Sequence, residues 1–266
     1  MRRLLASARA ATAAAAAAAM AATVATPAKA ERLVTSLSNY RISIASNFTG
    51  ADLVLFGTVD RDAATVQRRG GYDIVVTAAG PKQNVVTWRK ERVLGIWVNA
   101  DQRTFVGAPS YLAVLSNRPI EAIAGPELQR RLQLGLNNFL LPQDIAGDVA
   151  DVVRDDPFRV AFIRLRSEQG LYLERNNALT FLTPTLFRAA IPLPADAPIG
   201  TYEVDVRLFA DGALLARERS AFELYKVGFE QVVANAARYH GVLYGFATAG
   251  LALLVGWLAS VLFRRD

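Results

Sequence analysis

The densest cluster of side chains able to bind a ligand is a basic, aromatic segment in the first half of the chain. It contains Trp88, Arg89, Lys90 and Arg92, and Trp97 follows shortly after it. Guanidinium and ammonium groups beside an indole ring suit an anion, an acidic glycan or a phospholipid headgroup. A β-strand with its charges in solvent and its tryptophans in the core has the same composition. On the sequence, both interpretations stay open.

A row of carboxylates is the second candidate site. It consists of Asp144, Asp148, Asp151 and Asp155. On a helix these residues share one face, where they could bind a cation or a basic partner. Calcium ligands usually converge from a tight loop instead. We therefore expect a helix over about 144–155 with a solvated acidic face.

Composition excludes several classes of catalytic site. The 266 residues include no cysteine and a single histidine, His240, which adjoins the apolar C-terminal segment. Thiolate nucleophiles and Cys-based zinc sites are therefore excluded, and a Ser-His-Asp triad has no candidate away from the membrane. The sequence also lacks phosphate-binding glycine loops, a nucleophile elbow and a zinc-protease motif. We expect a protein that is not an enzyme and that uses no cofactor or metal.

The positive charge of the chain lies at its two ends. Residues 1–30 and 264–266 carry five of the net +6 charges, which leaves +1 for residues 31–263. Phosphate binding along a nucleic acid needs a strong positive field over the folded body. Nucleic acid is therefore not an expected partner.

Both ends carry targeting patterns. Residues 1–30 begin Met-Arg-Arg, continue with an alanine-rich stretch and end with Ala28-Lys29-Ala30, which is the order of a secretory signal peptide. The alternative is an uncleaved first helix. Residues 241–263 are uncharged and long enough to span a bilayer, and residues 264–266 begin with two arginines that indicate a cytoplasmic tail. These patterns predict an inner-membrane, single-pass protein with a periplasmic ectodomain.

Small residues recur along the expected membrane helix. Gly241, Gly245 and Ala249 are four residues apart, and Gly256 belongs to a second such row. Small residues at this interval let two helix backbones approach closely. The helix could therefore pack against itself or another membrane protein, although small residues are also simply common in membrane helices.

The exported body is predicted to be mainly β, with one or two immunoglobulin-like sandwiches. Short apolar runs separated by turn residues predict a β domain over 31–122 and a second β region over 176–228. Between them, residues 123–175 are expected to be helical, with one helix beginning at Gly125-Pro126 and ending before Pro142. Another is expected around Phe158 to Leu165, and a juxtamembrane helix over 229–240.

Asp211-Gly212 predicts a hairpin turn, but a strict two-residue turn conflicts with the pattern around it. It would place Arg217 and Arg219 on the face of Val204 and Val206. We therefore expect a bulge or a longer turn in the return strand, which would restore Phe222 and Leu224 to the core.

The whole chain resembles a family of alphaproteobacterial predicted transmembrane proteins of unknown function. The stretches that carry the resemblance are FTGADLVLFG (48–57), GIWVN (95–99), SNRPI (116–120), LFRA (186–189), PIGTY (198–202) and the ending 243–266. None is a catalytic motif, so no functional residue follows from them. The resemblance implies export, anchoring and a role beside a membrane exporter of the sulfite or organosulfonate type.

Three functions are compatible with these observations. The first is an accessory or interaction subunit of an inner-membrane transporter or complex. The second is a tethered periplasmic ligand-binding protein, which would need a deep pocket with convergent arginines and Trp88 or Trp97. The third is a carboxylate hydrolase, which would need two close acids in a cleft.

Overall fold

A computed structural model describes residues 31–45, 48–60, 71–145, 147–151, 154–228, 233 and 237–262. The expected signal peptide (1–30) and cytoplasmic tail (264–266) lie outside these residues, as does most of the expected juxtamembrane helix (229–240), of which 233 and 237–239 are helical. Strands account for most of the described body, which confirms the mainly β prediction.

The strands are, in chain order, β1 (Arg32–Leu37), β2 (Arg41–Ile44), β3 (Ala51–Asp60), β4 (Asp73–Ala79), β5 (Lys82–Val93), β6 (Ile96–Pro109), β7 (Leu112–Ser116), β8 (Pro142–Ile145), β9 (Asp148–Asp151), β10 (Tyr172–Arg175), β11 (Leu179–Phe181), β12 (Leu186–Leu193), β13 (Gly200–Ala210) and β14 (Ala213–Lys226). The helices of the described residues are α1 (Ile120–Ile123), α2 (Pro126–Leu132), α3 (Pro157–Glu168) and α4 (Gly241–Leu262), with a 3₁₀ turn at Leu136–Asn138.

Two sheets pack face to face. Sheet I has the order β1-β3-β12-β11, and sheet II has the order β10-β7-β4-β13-β14-β2. Alternate residues of each strand point into the space between them, as the period of two requires. The side chains that fill this core include Leu55 and Phe187 from sheet I and Val76, Tyr202 and Val206 from sheet II, all fully buried. The predicted sandwich is therefore present, and pairings β7–β10 and β2–β14 are parallel.

The early and late β regions build the same sandwich. In sheet I, β3 pairs with β12, and in sheet II, β4 pairs with β13. Each pair joins a strand from 31–122 to a strand from 176–228. One hydrophobic core therefore contains residues of both regions, and the two regions form a single sandwich.

A tyrosine at the start of β13 supports the immunoglobulin-like description. The Tyr202 hydroxyl donates a 2.6 Å hydrogen bond to the Pro198 carbonyl, four residues upstream. This is the arrangement of the tyrosine corner in immunoglobulin-like sandwiches. Burial raises the pKa of the Tyr202 phenol above its ordinary value.

The SNRPI stretch closes one end of sheet II. The Asn117 side chain accepts a hydrogen bond from the Ile74 amide at 2.8 Å and donates to the Asp73 carboxylate at 3.0 Å. Arg118 donates to the same carboxylate, at 2.7 Å from Nε and also from Nη2. Because Asp73 is buried, these partners compensate its loss of hydration. The stretch is therefore structural.

A third sheet, β5-β6-β8-β9, extends from the side of the sandwich and was not predicted. The expected helix over 144–155 is wrong, because Asp144 lies in β8 and Asp148 and Asp151 lie in β9 of one hairpin. Gly147, with φ of 95°, forms the turn and donates to the Asp144 carboxylate. The four aspartates therefore share no helix face, and the described residues contain no acidic or histidine cluster able to hold a metal.

The other helical predictions are confirmed in part. Helix α3 begins at Pro157, where the Asp156 side chain accepts from the Arg159 amide at 2.9 Å as an N-cap. Helix α2 begins at Pro126 as expected but ends at Leu132, since Gln133 takes a left-handed conformation with φ of 54°. The chain from there to β8 is a 3₁₀ turn and loop.

The predicted bulge in the β13–β14 hairpin is present. The register shifts between Leu208 and Phe209, so that Tyr202 pairs with Phe222. Phe222 and Leu224 are buried in the main core, whereas Arg217 and Arg219 leave it for the outer face. One extra residue thus decides which face carries the arginines.

Candidate functional site

The basic, aromatic segment forms a hairpin that projects from the body. Strands β5 and β6 form a long ladder, in which Lys82 pairs with Pro109 at the base and Val93 pairs with Ile96 at the tip. Every residue from 88 to 100 is exposed. At about 3.3 Å per residue, the five residues of β5 beyond Trp88 reach about 17 Å. A two-stranded ribbon with both faces in solvent is an unusual place for apolar side chains.

The tryptophans of this hairpin are exposed, so the interpretation that buries them in the core is wrong. The exposed fraction is 53% for Trp88 and 66% for Trp97, and it rises to 69% for Ile96 and 99% for Leu94 at the tip. The apolar surface is concentrated where the ribbon is farthest from the core. It therefore contributes little to the stability of the sandwich.

The two faces of the hairpin differ. Arg92 pairs with Trp97, and the alternation of β5 places Lys90 and Trp88 on that same face. The opposite face carries the Val93–Ile96 pair at the tip, followed by Glu91 paired with Val98. Arg89 and Glu91 form a 2.8 Å ion pair on that second face. One face is thus cationic and aromatic, and the other is apolar at its end.

The turn of the hairpin lies at Leu94-Gly95, between the paired residues Val93 and Ile96. Both turn residues have positive φ, 49° for Leu94 and 86° for Gly95, the pattern of a type I′ turn. Such turns favour Asn-Gly, since a side chain with a Cβ is strained in the left-handed region. A fully exposed leucine at the strained position has no structural benefit within the chain.

Trp88 also borders a shallow groove of about 260 Å³ between β5 and α3. Its wall includes Arg89, Lys90, Phe158 and Leu165. The base of the hairpin and an exposed edge of α3 thus form one continuous surface. The predicted patch of Trp88, Arg89, Lys90 and Arg92 therefore exists as a surface, with Arg92 outside the groove and bonded to the Gly95 carbonyl at 3.3 Å.

A larger groove, of about 850 Å³, lies on the outer face of sheet II. We call it the arginine groove. Its charged lining residues are Lys82, Glu203, Asp205, Arg207, Arg217 and Arg219, with Thr77 also on its surface. The base of the β5–β6 hairpin and the loop between α2 and β8 provide its walls. Four cations therefore face two carboxylates.

Asp205 organises two of these arginines. Its carboxylate accepts two 2.7 Å hydrogen bonds from Arg217 and a further contact from Nη2 of Arg207. Burial lowers the pKa of the Arg207 guanidinium, and Arg217 and Arg219 act in the same direction, while Asp205 opposes them. The hydrogen bond to Asp205 raises the pKa of Arg217.

The floor of the arginine groove contains buried polar atoms without partners. Arg207 is only 7% exposed, and its Nε and Nη1 atoms have no hydrogen-bond acceptor among the described residues. The Thr77 hydroxyl, on the strand paired with β13, has no partner among these residues either. Buried donors of a charged group normally have acceptors.

Sequence reasoning missed the arginine groove because its residues are far apart in the chain and contain no motif. The available signal was the register conflict at Asp211-Gly212, which already marked Arg217 and Arg219 as residues needing an outward position. It is not the pocket that the ligand-binding alternative would need, because neither Trp88 nor Trp97 lines this groove.

Helix α4 carries the candidate packing residues Gly241, Gly245, Ala249 and Gly256. It is the one helix of the described residues that is long and apolar enough to cross a membrane, and none of it is buried by the rest of the chain. A Cβ added at each of the three glycines would meet no atom within 4 Å apart from the neighbouring backbone of α4 itself. The row is therefore free to contact another helix.

Comparison with known families identifies the chain. A family model described as "Putative transmembrane protein (Alph_Pro_TM)" matches residues 32–265, which include the sandwich, the side sheet and α4. Searches of the curated proteins and of the solved structures return no match. The extent of the family match leads to one conclusion: the chain belongs to this alphaproteobacterial family of transmembrane proteins, and the part of it that the structure describes contains one helix, α4, that could anchor it in a membrane.

Proposed function

We propose that this protein is a non-catalytic accessory subunit of an inner-membrane complex, with its sandwich in the periplasm and its β5–β6 hairpin as the contact element. In this proposal residues 1–30 direct export, α4 retains the body, and residues 264–266 are cytoplasmic. The partner is a polytopic transporter, for which an exporter of the sulfite or organosulfonate type is the first candidate from the family resemblance.

The observation that carries the proposal is the composition of the hairpin tip. Tryptophan and arginine are the residues that contribute most binding energy at protein interfaces, and here they are exposed beside Leu94 and Ile96. Leu94 occupies a strained turn position while contacting solvent almost completely. An exposed apolar residue at a strained turn position, with no compensating contact in the described chain, indicates a contact made outside the chain.

The anchor limits where that contact can occur. Residues 227–240 separate the end of β14 from α4, and a fully extended chain of this length spans at most roughly 50 Å. The body therefore stays near the membrane surface. With Arg89, Lys90, Arg92 and a single acid, Glu91, on its outer part, the hairpin suits an acidic surface presented by a membrane protein.

The test is a pull-down of C-terminally tagged full-length chain from its own membranes in a mild detergent. Wild type, Trp97→Ala and Leu94→Ala are compared, with Tyr40→Ala as the matched control, because Tyr40 is an exposed aromatic residue away from the hairpin. Mass spectrometry identifies the retained proteins and the mature N-terminus, expected at Glu31.

A polytopic membrane protein retained by wild type and by Tyr40→Ala, but reduced at least severalfold with both hairpin variants, would support the proposal. Recovery of the wild-type chain alone would count against it. Equal recovery of the partner by all variants would exclude the hairpin as the contact. Adding Gly245→Leu to the series measures whether the α4 ridge contributes.

A further inference from the structure

The arginine groove combines an open space, an excess of cations and unpartnered buried donors. The space of about 850 Å³ is within the range of ligand sites in proteins. Surface charge alone would not mark a site. The difference here is that Arg207 is almost completely buried and still has two nitrogens without an acceptor.

Asp205 cannot satisfy all the donors of the groove. Its two oxygens already accept hydrogen bonds from Nε and Nη2 of Arg217, and one of them also contacts Nη2 of Arg207. Arg219 pairs opposite Asp205 in the β13–β14 ladder, but it forms no ion pair within the described part of the chain. The donors that these contacts leave over include Nε and Nη1 of Arg207, the Arg219 guanidinium and the Lys82 amine.

The unsatisfied groups have one chemical character. A guanidinium donates in a fixed planar fork that matches the oxygens of a carboxylate or a phosphate. The Thr77 hydroxyl, also without a partner in the described residues, can donate to the same oxygens. The second carboxylate of the lining, Glu203, is exposed and disfavours ligands of high negative charge density near its end of the groove.

We propose that the arginine groove is a binding site for a small, soluble oxyanion of the phosphate or carboxylate class, held by Arg207, Arg219 and Lys82. This site is separate from the hairpin tip. A ligand bound there could affect the proposed partner contact only through the base of β5, which belongs to both the groove and the hairpin. The anion supplies the acceptors that Arg207 lacks and neutralises the excess positive charge of the lining.

The first measurement follows thermal unfolding of the full-length chain in dodecyl maltoside by far-UV circular dichroism. Inorganic phosphate and succinate are the probes, with sodium chloride at matched ionic strength as the reference. A ligand that binds only the folded state raises Tm in a saturable way. We expect a saturable rise with at least one of the two anions and none with chloride.

The second measurement is equilibrium dialysis with radiolabelled phosphate and succinate on three proteins. Arg219→Gln should weaken binding about tenfold, the usual loss for a charge-assisted hydrogen bond. Because Arg219 is exposed and forms no ion pair in the described chain, this variant should fold normally. Arg188→Gln, on the outer face of sheet I, is the matched control and should bind as wild type does.

Two results would overturn the assignment. One is the absence of any saturable change in Tm with both anions, which would mean that water alone satisfies Arg207. The other is unchanged binding by Arg219→Gln, which would place the anion elsewhere. Neither result would affect the pull-down through the hairpin, so the two proposals fail independently.

Discussion

Arg207 lies directly opposite Arg217 in the ladder that joins β13 and β14, so two guanidinium groups share one stretch of the outer face of sheet II. Like charges in this arrangement destabilise a sheet. The carboxylate of Asp205 compensates, because it accepts from both arginines while lying only two residues from Arg207. The stability of sheet II and the electrostatics of the arginine groove therefore depend on the same acid.

Replacement of Asp205 by Asn should lower the free energy of unfolding by about 3 kcal/mol, the typical cost of removing one partner from a buried ion pair. Arg207 would remain buried without a carboxylate, beside the charge of Arg217. Thermal unfolding of the full-length chain in detergent measures the change. Arg217→Gln removes an exposed partner and should cost less than 1 kcal/mol. A similar loss in both variants would contradict the central role of Asp205.

The buried tyrosines predict loss of stability at alkaline pH. Burial raises the pKa of Tyr111, Tyr172 and Tyr202 above the ordinary value near 10. Since the folded state keeps these protons while the unfolded state releases them, stability is complete below pH ~10 and falls as pH rises further. The slope is about 1.4 kcal/mol per pH unit for each tyrosine.

The measurement is a titration from pH 8 to 12 that follows tyrosinate absorbance and circular dichroism together. The buried tyrosines should ionise only with unfolding, so their tyrosinate absorbance should rise together with the loss of the circular dichroism signal. Tyr172→Phe should reduce the alkaline slope, at the cost of the 2.7 Å hydrogen bond from its hydroxyl to the Pro109 carbonyl. Ionisation of every tyrosine in one step near pH 10, with the fold intact, would disagree with this prediction.

The sequence predicts the fold class well where one face of a strand is buried. The alternation in β13 and the conflict at Asp211-Gly212 were sufficient to predict both the strand and its bulge, because a shift of one residue exchanges core and solvent faces. The expected helix over 144–155 failed because Ile145 and Val149 suit a helix as well as a strand. The structure shows a hairpin there, with β8 paired to β9 and Gly147 at positive φ in the turn.

The candidate surfaces depend on tertiary arrangement, which limits their prediction. Tryptophans in a strand are usually buried, and the sequence contains no sign that β5 and β6 extend beyond the body. The sequence gives no turn signal at Leu94-Gly95, because leucine is rare at a left-handed turn position. The arginine groove requires sheet II, the side sheet and the α2–β8 loop together, and no local pattern indicates that combination.

Gly57 should tolerate no side chain. A Cβ at this position in β3 would lie 2.2 Å from the ring of Phe187 on the paired strand β12, and that ring is fully buried. Gly57→Ala should therefore destabilise the chain by about 2 kcal/mol through overpacking. The double variant Gly57→Ala with Phe187→Leu should recover part of the loss in thermal unfolding. Additive losses in the double variant would show that the ring is not the obstacle.

The proposed orientation can be tested because the chain contains no cysteine. Asp196→Cys introduces a thiol in the exposed loop between β12 and β13, and Asp266→Cys introduces one at the C-terminus. A membrane-impermeant maleimide should label the first in intact spheroplasts and the second only after permeabilisation. The reverse pattern would place the sandwich in the cytoplasm and would remove the basis for a periplasmic role.

Substitution of Leu94 by Asn at the tip of the hairpin should raise the stability of the chain and weaken its binding to the partner. Leu94→Asn relieves the strain of a left-handed leucine and should raise the stability of the full-length chain by up to about 1 kcal/mol. The same variant removes the most exposed apolar side chain of the tip and should reduce recovery of the partner in the pull-down. Leu94→Ala separates the two effects, because alanine keeps the strain and loses the contact. It should leave Tm nearly unchanged while recovery falls. If Leu94→Asn lowers Tm, or if it retains the partner fully, the leucine is not kept for binding.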